Sequence, residues 1–217
     1  MKVRAATDAD VPAIAAIHAE AVARSYVEAS DKASVVMVAE LSAAESDLNK
    51  PQIVAASVWD TTQISCGNGA AQKDDAAGYT SSRREDDWSP DAEDPKLNAL
   101  SDAMRQGRQR YFASEKPHVY LRILATDPQH QGRGYAKALC RWGITLAHSK
   151  RVGVCLETGS RGYIMFSGMG FKDLGAVVVP AGKGQEEQVL KALRMDAAGT
   201  QAANPGVWDS LWKYIST

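Results

Sequence analysis

Apolar residues recur at three- and four-residue steps in four stretches of the chain, which is the spacing of one face of an α-helix. The first stretch follows Thr7 and Asp10, whose T-x-x-D order is a variant of the capping box found at helix starts. Ile14 and Ile17 then fall on one side, so a helix is predicted at about residues 8–24. The same spacing predicts helices at residues 96–114, 136–149 and 163–169.

Runs of β-branched and aromatic residues predict the strands. Residues 35–39 and 53–59 flank a polar segment and are expected to pair as antiparallel strands. Further extended segments are predicted at residues 2–6, 119–125, 152–156 and 171–179. Residues 189–195 fit either a helix or a strand, and residues 207–215 suggest a short C-terminal helix.

The composition changes at about residues 60–95, where Gly, Ser, Asp and Ala dominate. Residues 74–94 hold eight acidic side chains against only Arg83 and Arg84, which predicts a long, mobile, acidic loop. Such a loop is either a substrate lid or partner-binding segment, an interpretation that Trp88 supports, or a solvated insertion, which is the more common case. A less regular C-terminal tail is expected at about residues 196–217.

The overall composition limits the classes of protein to consider. A chain of 217 residues with 45% apolar and 24% charged residues is typical of a globular protein of one domain or at most two. A net charge of −1 gives no electrostatic basis for binding nucleic acid. No run approaches the roughly 20 apolar residues of a membrane span, and the polar N-terminus is unlike a secretory signal. Neither a nucleic acid nor a membrane partner is expected, and a cytoplasmic location is predicted.

The cysteines and histidines give little sign of a metal or redox site. Three widely spaced cysteines fit neither a disulfide framework nor a paired-cysteine zinc site, so reduced thiols and no metal are expected; they are Cys66, Cys140 and Cys155. Three histidines without a partner at recognisable spacing are predicted to be surface or packing residues; they are His18, His118 and His148. His130 precedes a glycine-rich turn and is placed to line it.

That glycine-rich turn is the main candidate for chemistry. In the segment DPQHQGRGYAKAL, Gly132, Gly134 and Ala136 alternate with polar residues just before a predicted helix. Small residues there allow a phosphate to approach the unpaired backbone N–H groups and the positive end of the helix dipole. Arg133 and Lys137 either add positive charge to the site or serve only solubility. The Walker pattern GxxxxGK[ST] is absent and GxGxxG lacks its third glycine, which argues against an ATPase or a dinucleotide-binding protein.

The turn resembles the Q/R-x-x-G-x-G/A pyrophosphate loop of the GNAT family of N-acetyltransferases, through Gln131-Gly132-Arg133-Gly134-Tyr135-Ala136. Its surroundings follow the family's order, with YLRILATDP before the loop, an L-E-x-S-like segment in residues 156–160 and a G-F pair at Gly170-Phe171. The resemblance spans residues 1 to about 180 and is strongest at 118–175. Within the family it is closest to acetyltransferases common in filamentous fungi.

The resemblance implies an α/β (α+β) fold in a single domain over residues 1–217, with the acidic insertion and the tail attached to it. The fold is a mixed, mostly antiparallel central sheet flanked by helices, whose fourth and fifth strands splay apart to hold acyl-CoA. The backbone of Leu124, Ala125 and Thr126 would pair with the pantetheine arm, and an N–H near Leu124 or Ala125 would polarise the thioester carbonyl. The amides implied to hold the pyrophosphate are those of Gln131, Gly132, Arg133, Gly134, Tyr135, Ala136 and Lys137.

Acyl transfer to an amine needs a base, because a typical ammonium has a pKa of about 10.4, and an acid helps the departing thiolate. Glu157, at the end of the fifth strand, is the candidate base, directly or through water; the alternative is a carboxylate that only bonds neighbouring backbone. Family members often carry a tyrosine four residues before the G of the G-F pair, but Phe166 stands there. Either Tyr163 donates the proton instead, or solvent assists the thiolate, or catalysis is impaired.

The resulting prediction is an N-acetyltransferase with acetyl-CoA as co-substrate and no metal, which moves the acetyl group directly to the primary amine of a small molecule. Two alternatives remain: transfer to a peptide or protein amine, which the acidic loop favours, and a non-catalytic acyl-CoA-binding regulatory protein, which Phe166 favours. A monomer or a homodimer is expected.

Overall fold

The structure, a computed structural model, describes residues 1–17, 34–65, 95–113, 117–181 and 187–202. Its strands are β1 (Lys2–Ala5), β2 (Ser34–Leu41), β3 (Gln52–Asp60), β4 (His118–Thr126), β5 (Gly153–Thr158), β6 (Lys172–Val179) and β7 (Gln188–Met195). They form a seven-stranded sheet in the order β1-β2-β3-β4-β5-β7-β6. All neighbouring strands run antiparallel except β4 and β5, which are parallel. The predicted mixed, mostly antiparallel sheet is confirmed.

Helices connect and cover these strands. In the described part of the chain they are α1 (Val11–Ile17), α2 (Thr62–Ser65), α3 (Pro95–Tyr111), α4 (Tyr135–Lys150), α5 (Ser160–Gly168) and α6 (Ala197–Ala202). Short 3-10 turns at Asp8–Asp10 and Pro128–His130 lead into α1 and into the glycine-rich turn before α4. Across the described ranges, no helix is both long enough and apolar enough to cross a membrane.

The structure resolves two points that the sequence left open or drew differently. Residues 189–195 belong to strand β7, because they pair with β5 on one side and β6 on the other. The predicted acidic loop begins with the helical turn α2, where the Asp60 carboxylate accepts a hydrogen bond of 2.9 Å from the backbone N–H of Thr62. Most of the acidic loop, residues 18–24 of the first predicted helix and the C-terminal helix near residues 207–215 lie outside the described residues.

Strands β4 and β5 separate part way along their length. Their pairing ends at Leu121 opposite Leu156, although β4 continues to Thr126 and β5 to Thr158. On its other edge β4 stays paired with β3, where the register shifts by one residue at Arg122. A β-bulge of this kind bends its strand and disrupts regular pairing. The bulge therefore gives a local reason for the gap that opens between β4 and β5.

Helices cover both faces of the sheet. On one face α4 packs over β2 to β5, in a core cluster that contains Trp59, Leu139 and Leu156. On the opposite face α1 packs against β3, and α3 packs against β6 in a second cluster that contains Phe112 and Tyr120. The chain between β3 and β4 thus supplies a helix that lies on the sheet beside the β4–β5 pair.

Candidate active site

The glycine-rich turn has the backbone geometry of an anion site. Gly132 and Gly134 have φ of +78° and +87°, in the left-handed region that favours glycine. Helix α4 has no side-chain N-cap, and the N–H of Ala138 to the carbonyl of Gly134, at 3.0 Å, is the first bond of its ladder. The amides of the first turn of α4 therefore precede the helical ladder and point outward from the helix start. A negatively charged group fits there.

The side chains around this turn leave it open. No heavy atom lies within 4 Å of where a Cβ on Gly132 would stand, and Arg133 and Lys137 are exposed. The Nε2 of Gln131 donates to the carbonyl of Thr126 at 3.4 Å, which ties the turn to the end of β4. His130, just before the turn, is buried, with its Nδ1 3.2 Å from a carboxylate oxygen of Asp127.

The gap between β4 and β5 lies next to the glycine-rich turn, because the turn follows the end of β4. Leu124, Ala125 and Thr126 are hydrogen-bonded to β3 along one edge of β4, and their other edge lies beyond the point where pairing with β5 has ended. All three residues are half-buried. An open strand edge next to an uncapped helix start fits an extended acyl-CoA, whose amides need backbone partners and whose diphosphate needs an anion site.

Glu157 lies on β5, one residue beyond the last pair with β4. Its Oε2 accepts a hydrogen bond from the hydroxyl of Tyr120, while its Oε1 is buried and accepts none from the described residues. Burial raises the pKa of Glu157 to about 7, and the Tyr120 hydrogen bond and the charge of Arg108 act in the opposite direction. Burial and the nearby carboxylate raise the pKa of Tyr120 well above its usual range, so Tyr120 remains the donor.

Helix α3 brings two further residues close to Glu157 and Tyr120. The guanidinium carbon of Arg108 lies 5.2 Å from the centre of the Tyr120 ring. A Cβ on the preceding residue, Gly107, would stand 2.7 Å from a methyl of Val177 and 3.5 Å from Oε1 of Glu157. The sequence predicted α3 but did not connect it with Glu157. Gly107, a glycine inside a predicted helix, was the local sign that this helix comes close to another part of the chain.

Tyr163 and Phe166 lie on α5 and pack on the other face of the sheet. Phe166 is 3% exposed and meets Phe171 edge to face, with ring centres 5.3 Å apart. Tyr163 is half-buried against the same core cluster, whereas Tyr120 belongs to the cluster under α3. The hydroxyl that contacts Glu157 is thus that of Tyr120, which the sequence had not singled out.

The remaining candidates take structural roles or lie outside the described ranges. His118 is buried and packs edge to face on Phe112, and His148 is exposed, so both predictions are confirmed. Cys140 and Cys155 are buried thiols that take part in no disulfide, and burial raises the pKa of Cys140 to about 12. His18 and Cys66 lie outside the described residues. Within those ranges, no group of three or more metal-ligating side chains is found.

Known structures share this fold at low sequence identity. An Arabidopsis thaliana NAA60 in complex with a bisubstrate analogue aligns with a TM-score of 0.56 at 13% identity, over 90% of this chain and 97% of that one. A spermidine/spermine N-acetyltransferase SpeG from Vibrio cholerae aligns with a TM-score of 0.54 at 11% identity, over 94% of this chain and 96% of that one. A putative acetyltransferase, yncA from Salmonella typhimurium with its cofactor acetyl-CoA, aligns with a TM-score of 0.53 at 15% identity, over 91% and 94%.

Sequence comparison gives the family. No curated protein matches the chain significantly in sequence. The profile of the acetyltransferase (GNAT) family matches residues 42–161, which is more than half of the chain and includes β4, the glycine-rich turn, α4 and Glu157. The chain therefore belongs to the acetyltransferase (GNAT) family and is an acyltransferase that uses acetyl-CoA as its co-substrate.

Proposed function

We propose that this protein is an N-acetyltransferase that moves the acetyl group of acetyl-CoA directly to the primary amine of a small molecule. The observation that carries the proposal is the meeting of three features at one end of the sheet: an uncapped helix start, an open edge of β4 and a buried carboxylate on β5. The first two suit acyl-CoA, and the third suits proton transfer from an amine.

In this proposal the coenzyme is held by main chain. The diphosphate lies against the amides of the glycine-rich turn and the first turn of α4, that is, of Gln131, Gly132, Arg133, Gly134, Tyr135, Ala136 and Lys137. The pantetheine arm pairs with the backbone of Leu124, Ala125 and Thr126 in the gap beside β4. An N–H near Leu124 or Ala125 stabilises the negative charge that develops on the thioester oxygen.

Glu157 acts as the base. It takes a proton from the acceptor ammonium, directly or through water, and the neutral amine then attacks the thioester carbon. The new C–N bond forms as the C–S bond breaks, and the attacking nitrogen releases its second proton to solvent. Coenzyme A leaves as a thiolate that gains a proton from Tyr163 or from solvent. A carboxyl with a pKa of about 7 accepts a proton from an ammonium more readily than an ordinary glutamate and is still ionised in a large fraction of molecules at neutral pH.

The structurally similar proteins named above include one described as acting on spermidine and spermine, and they leave the acceptor of this chain open. Transfer to a peptide or protein amine is the alternative within the same fold, supported by the acidic residues 74–94, which would attract basic substrates. A panel of polyamines, aminoglycosides, amino acids and basic peptides, assayed by release of coenzyme A, separates the two. Rapid turnover of peptides only would favour the alternative.

A non-catalytic acyl-CoA-binding role is the second alternative, because Phe166 cannot donate a proton. Tight binding of acetyl-CoA without release of coenzyme A above hydrolysis, for every amine tested, would favour it. Turnover that disappears in Glu157→Gln or slows in Tyr163→Phe would rule it out. The proposal also keeps four predictions from the sequence: a likeness to fungal acetyltransferases, a single domain, a cytoplasmic location, and a monomeric or homodimeric state.

Coenzyme binding is tested with glycine variants matched for backbone strain. Gly132 and Gly170 both have positive φ, and a Cβ on either would meet no heavy atom within 4 Å. Alanine should therefore cost similar stability, about 1 kcal/mol, at both positions. Saturating acetyl-CoA should raise the melting temperature of the wild type and of Gly170→Ala equally, while Gly132→Ala should lose most of the rise. An equal rise in all three proteins would contradict the proposed coenzyme site.

A further inference from the structure

We propose that Tyr120 of β4 and Arg108 of helix α3 are positioning residues: they fix the Glu157 carboxylate so that Oε2 is occupied and Oε1 is the oxygen left to take the proton. The inference rests on the proposed function, because it concerns the residue assigned there as the base. Tyr120 and Arg108 are not assigned to the coenzyme site, so their contribution can be tested separately.

The two oxygens of Glu157 have different surroundings. Oε2 is occupied by the Tyr120 hydroxyl, whereas Oε1 is buried and accepts no hydrogen bond from the described residues. A buried carboxylate oxygen without a donor is costly, and such a group in a native site calls for a missing partner. In the proposed reaction, the ammonium group of the substrate that is to be acetylated supplies this hydrogen-bond donor. Tyr120 therefore selects Oε1 as the oxygen that takes the proton.

Helix α3 keeps this arrangement in place. Arg108 lies over the ring of Tyr120, and the absence of a side chain at Gly107 allows the helix to approach Val177 and Oε1 of Glu157 closely. The positive charge of Arg108 also favours the ionised form of Glu157. The helix thus supplies both a contact that holds the tyrosine ring and a charge that opposes protonation of the base.

The other strands around Glu157 present few competing charges. Ala192 lies opposite it on β7, and Val177 of β6 is apolar. Arg194, two residue pairs further along β7, lies 3.1 Å from Asp196. On β4, Arg122 lies near Tyr120 and forms an ion pair with Asp60 at 2.9 Å. Among the described residues, the charged or titratable groups that bear directly on Glu157 are therefore Tyr120 and Arg108.

The test measures the titration of Glu157 in variants with matched controls. Tyr120→Phe removes the hydrogen bond to Glu157, and Arg108→Gln removes the nearby positive charge. Both interactions favour the ionised carboxyl, so the loss of either should move the titration midpoint of Glu157 to higher pH, by about one unit. Arg108→Lys keeps the charge and should stay close to the wild type. Arg110 and Tyr111 provide the control pair, since the Arg110 guanidinium lies 5.2 Å from the Tyr111 ring and the Tyr111 hydroxyl bonds the carbonyl of Ala176 at 2.9 Å.

Two readouts are needed. The first is the acid limb of the pH profile of kcat/KM, with the best amine of the panel; the second is a carbon-13 NMR titration of the glutamate carboxyls, with Glu157 assigned by Glu157→Gln. Upward shifts in Tyr120→Phe and Arg108→Gln, with Tyr111→Phe and Arg110→Gln unchanged, support the inference. A wild-type midpoint in both test variants overturns it. If no amine is acetylated by the wild type, the proposed function fails, and the NMR titration still decides whether Tyr120 and Arg108 hold the carboxylate.

Discussion

At the scale of single residues, Asp10 joins the start of the first helix to the sheet. Its carboxylate accepts two hydrogen bonds from Arg4 of β1, at 2.7 and 2.8 Å, and one from the backbone N–H of Thr7 at 2.8 Å. Arg4 also bonds Glu40 of β2 at 2.9 Å. The Arg4 hydrogen bonds hold the pKa of Asp10 at about 2, even though burial acts against them. The predicted T-x-x-D helix start is thus present. Its aspartate is also bound by Arg4, which lies on β1 outside the motif.

We therefore expect Asp10→Asn to destabilise the protein at neutral pH by about 1–2 kcal/mol, because hydrogen bonds to a charged group are lost. The folded pKa lies below the unfolded one, so this stability is fully present above about pH 5 and is lost as the pH falls toward 2. Urea unfolding at several pH values measures it, with Asp8→Asn, exposed in the same turn, as the control. A difference from wild type that stays constant down to pH 2 would contradict this role.

At the scale of elements, α4 lies unusually close to the sheet. A Cβ on Gly143 would stand 2.1 Å from the ring of Trp59, which is 1% exposed and donates through its indole N–H to Ser57 at 2.9 Å. Trp142 packs on the same ring, with centres 6.1 Å apart. The position of α4 over the sheet, and with it the position of its N-terminal amides, depends on this contact.

Gly143→Ala should therefore destabilise the fold. Alanine is better than glycine in a helix interior by about 1 kcal/mol, but the collision with a fully buried tryptophan costs more, so we expect a net loss of about 2 kcal/mol. Denaturant unfolding measures the loss, and Thr145→Ala, at an exposed position of α4, serves as the control that tests helix propensity alone. An unchanged or increased stability in Gly143→Ala would show that α4 can move without cost.

At the scale of the whole molecule, the sequence predicts those features that depend on local patterns. The capping motif, the alternation of strands and helices after β4 and the glycine-rich turn are written in neighbouring residues, and the structure contains all three. Strand β7 remained ambiguous because a short apolar run has no decisive period, and only its pairing with β5 and β6 defines it. Arg108, Tyr120 and Glu157 come from three separate elements, so no local sequence pattern reports that Arg108 packs on Tyr120 and Tyr120 bonds Glu157.

The central claim is that the main-chain amides of the glycine-rich turn bind the diphosphate of coenzyme A while the open edge of β4 receives the pantetheine arm. A crystal structure of the protein with acetyl-CoA tests both parts at once. It should show diphosphate oxygens within hydrogen-bond distance of the amides of residues 131–137, and the acetyl group between β4 and Glu157. Acetyl-CoA bound elsewhere, with those amides contacting only solvent, would contradict the account.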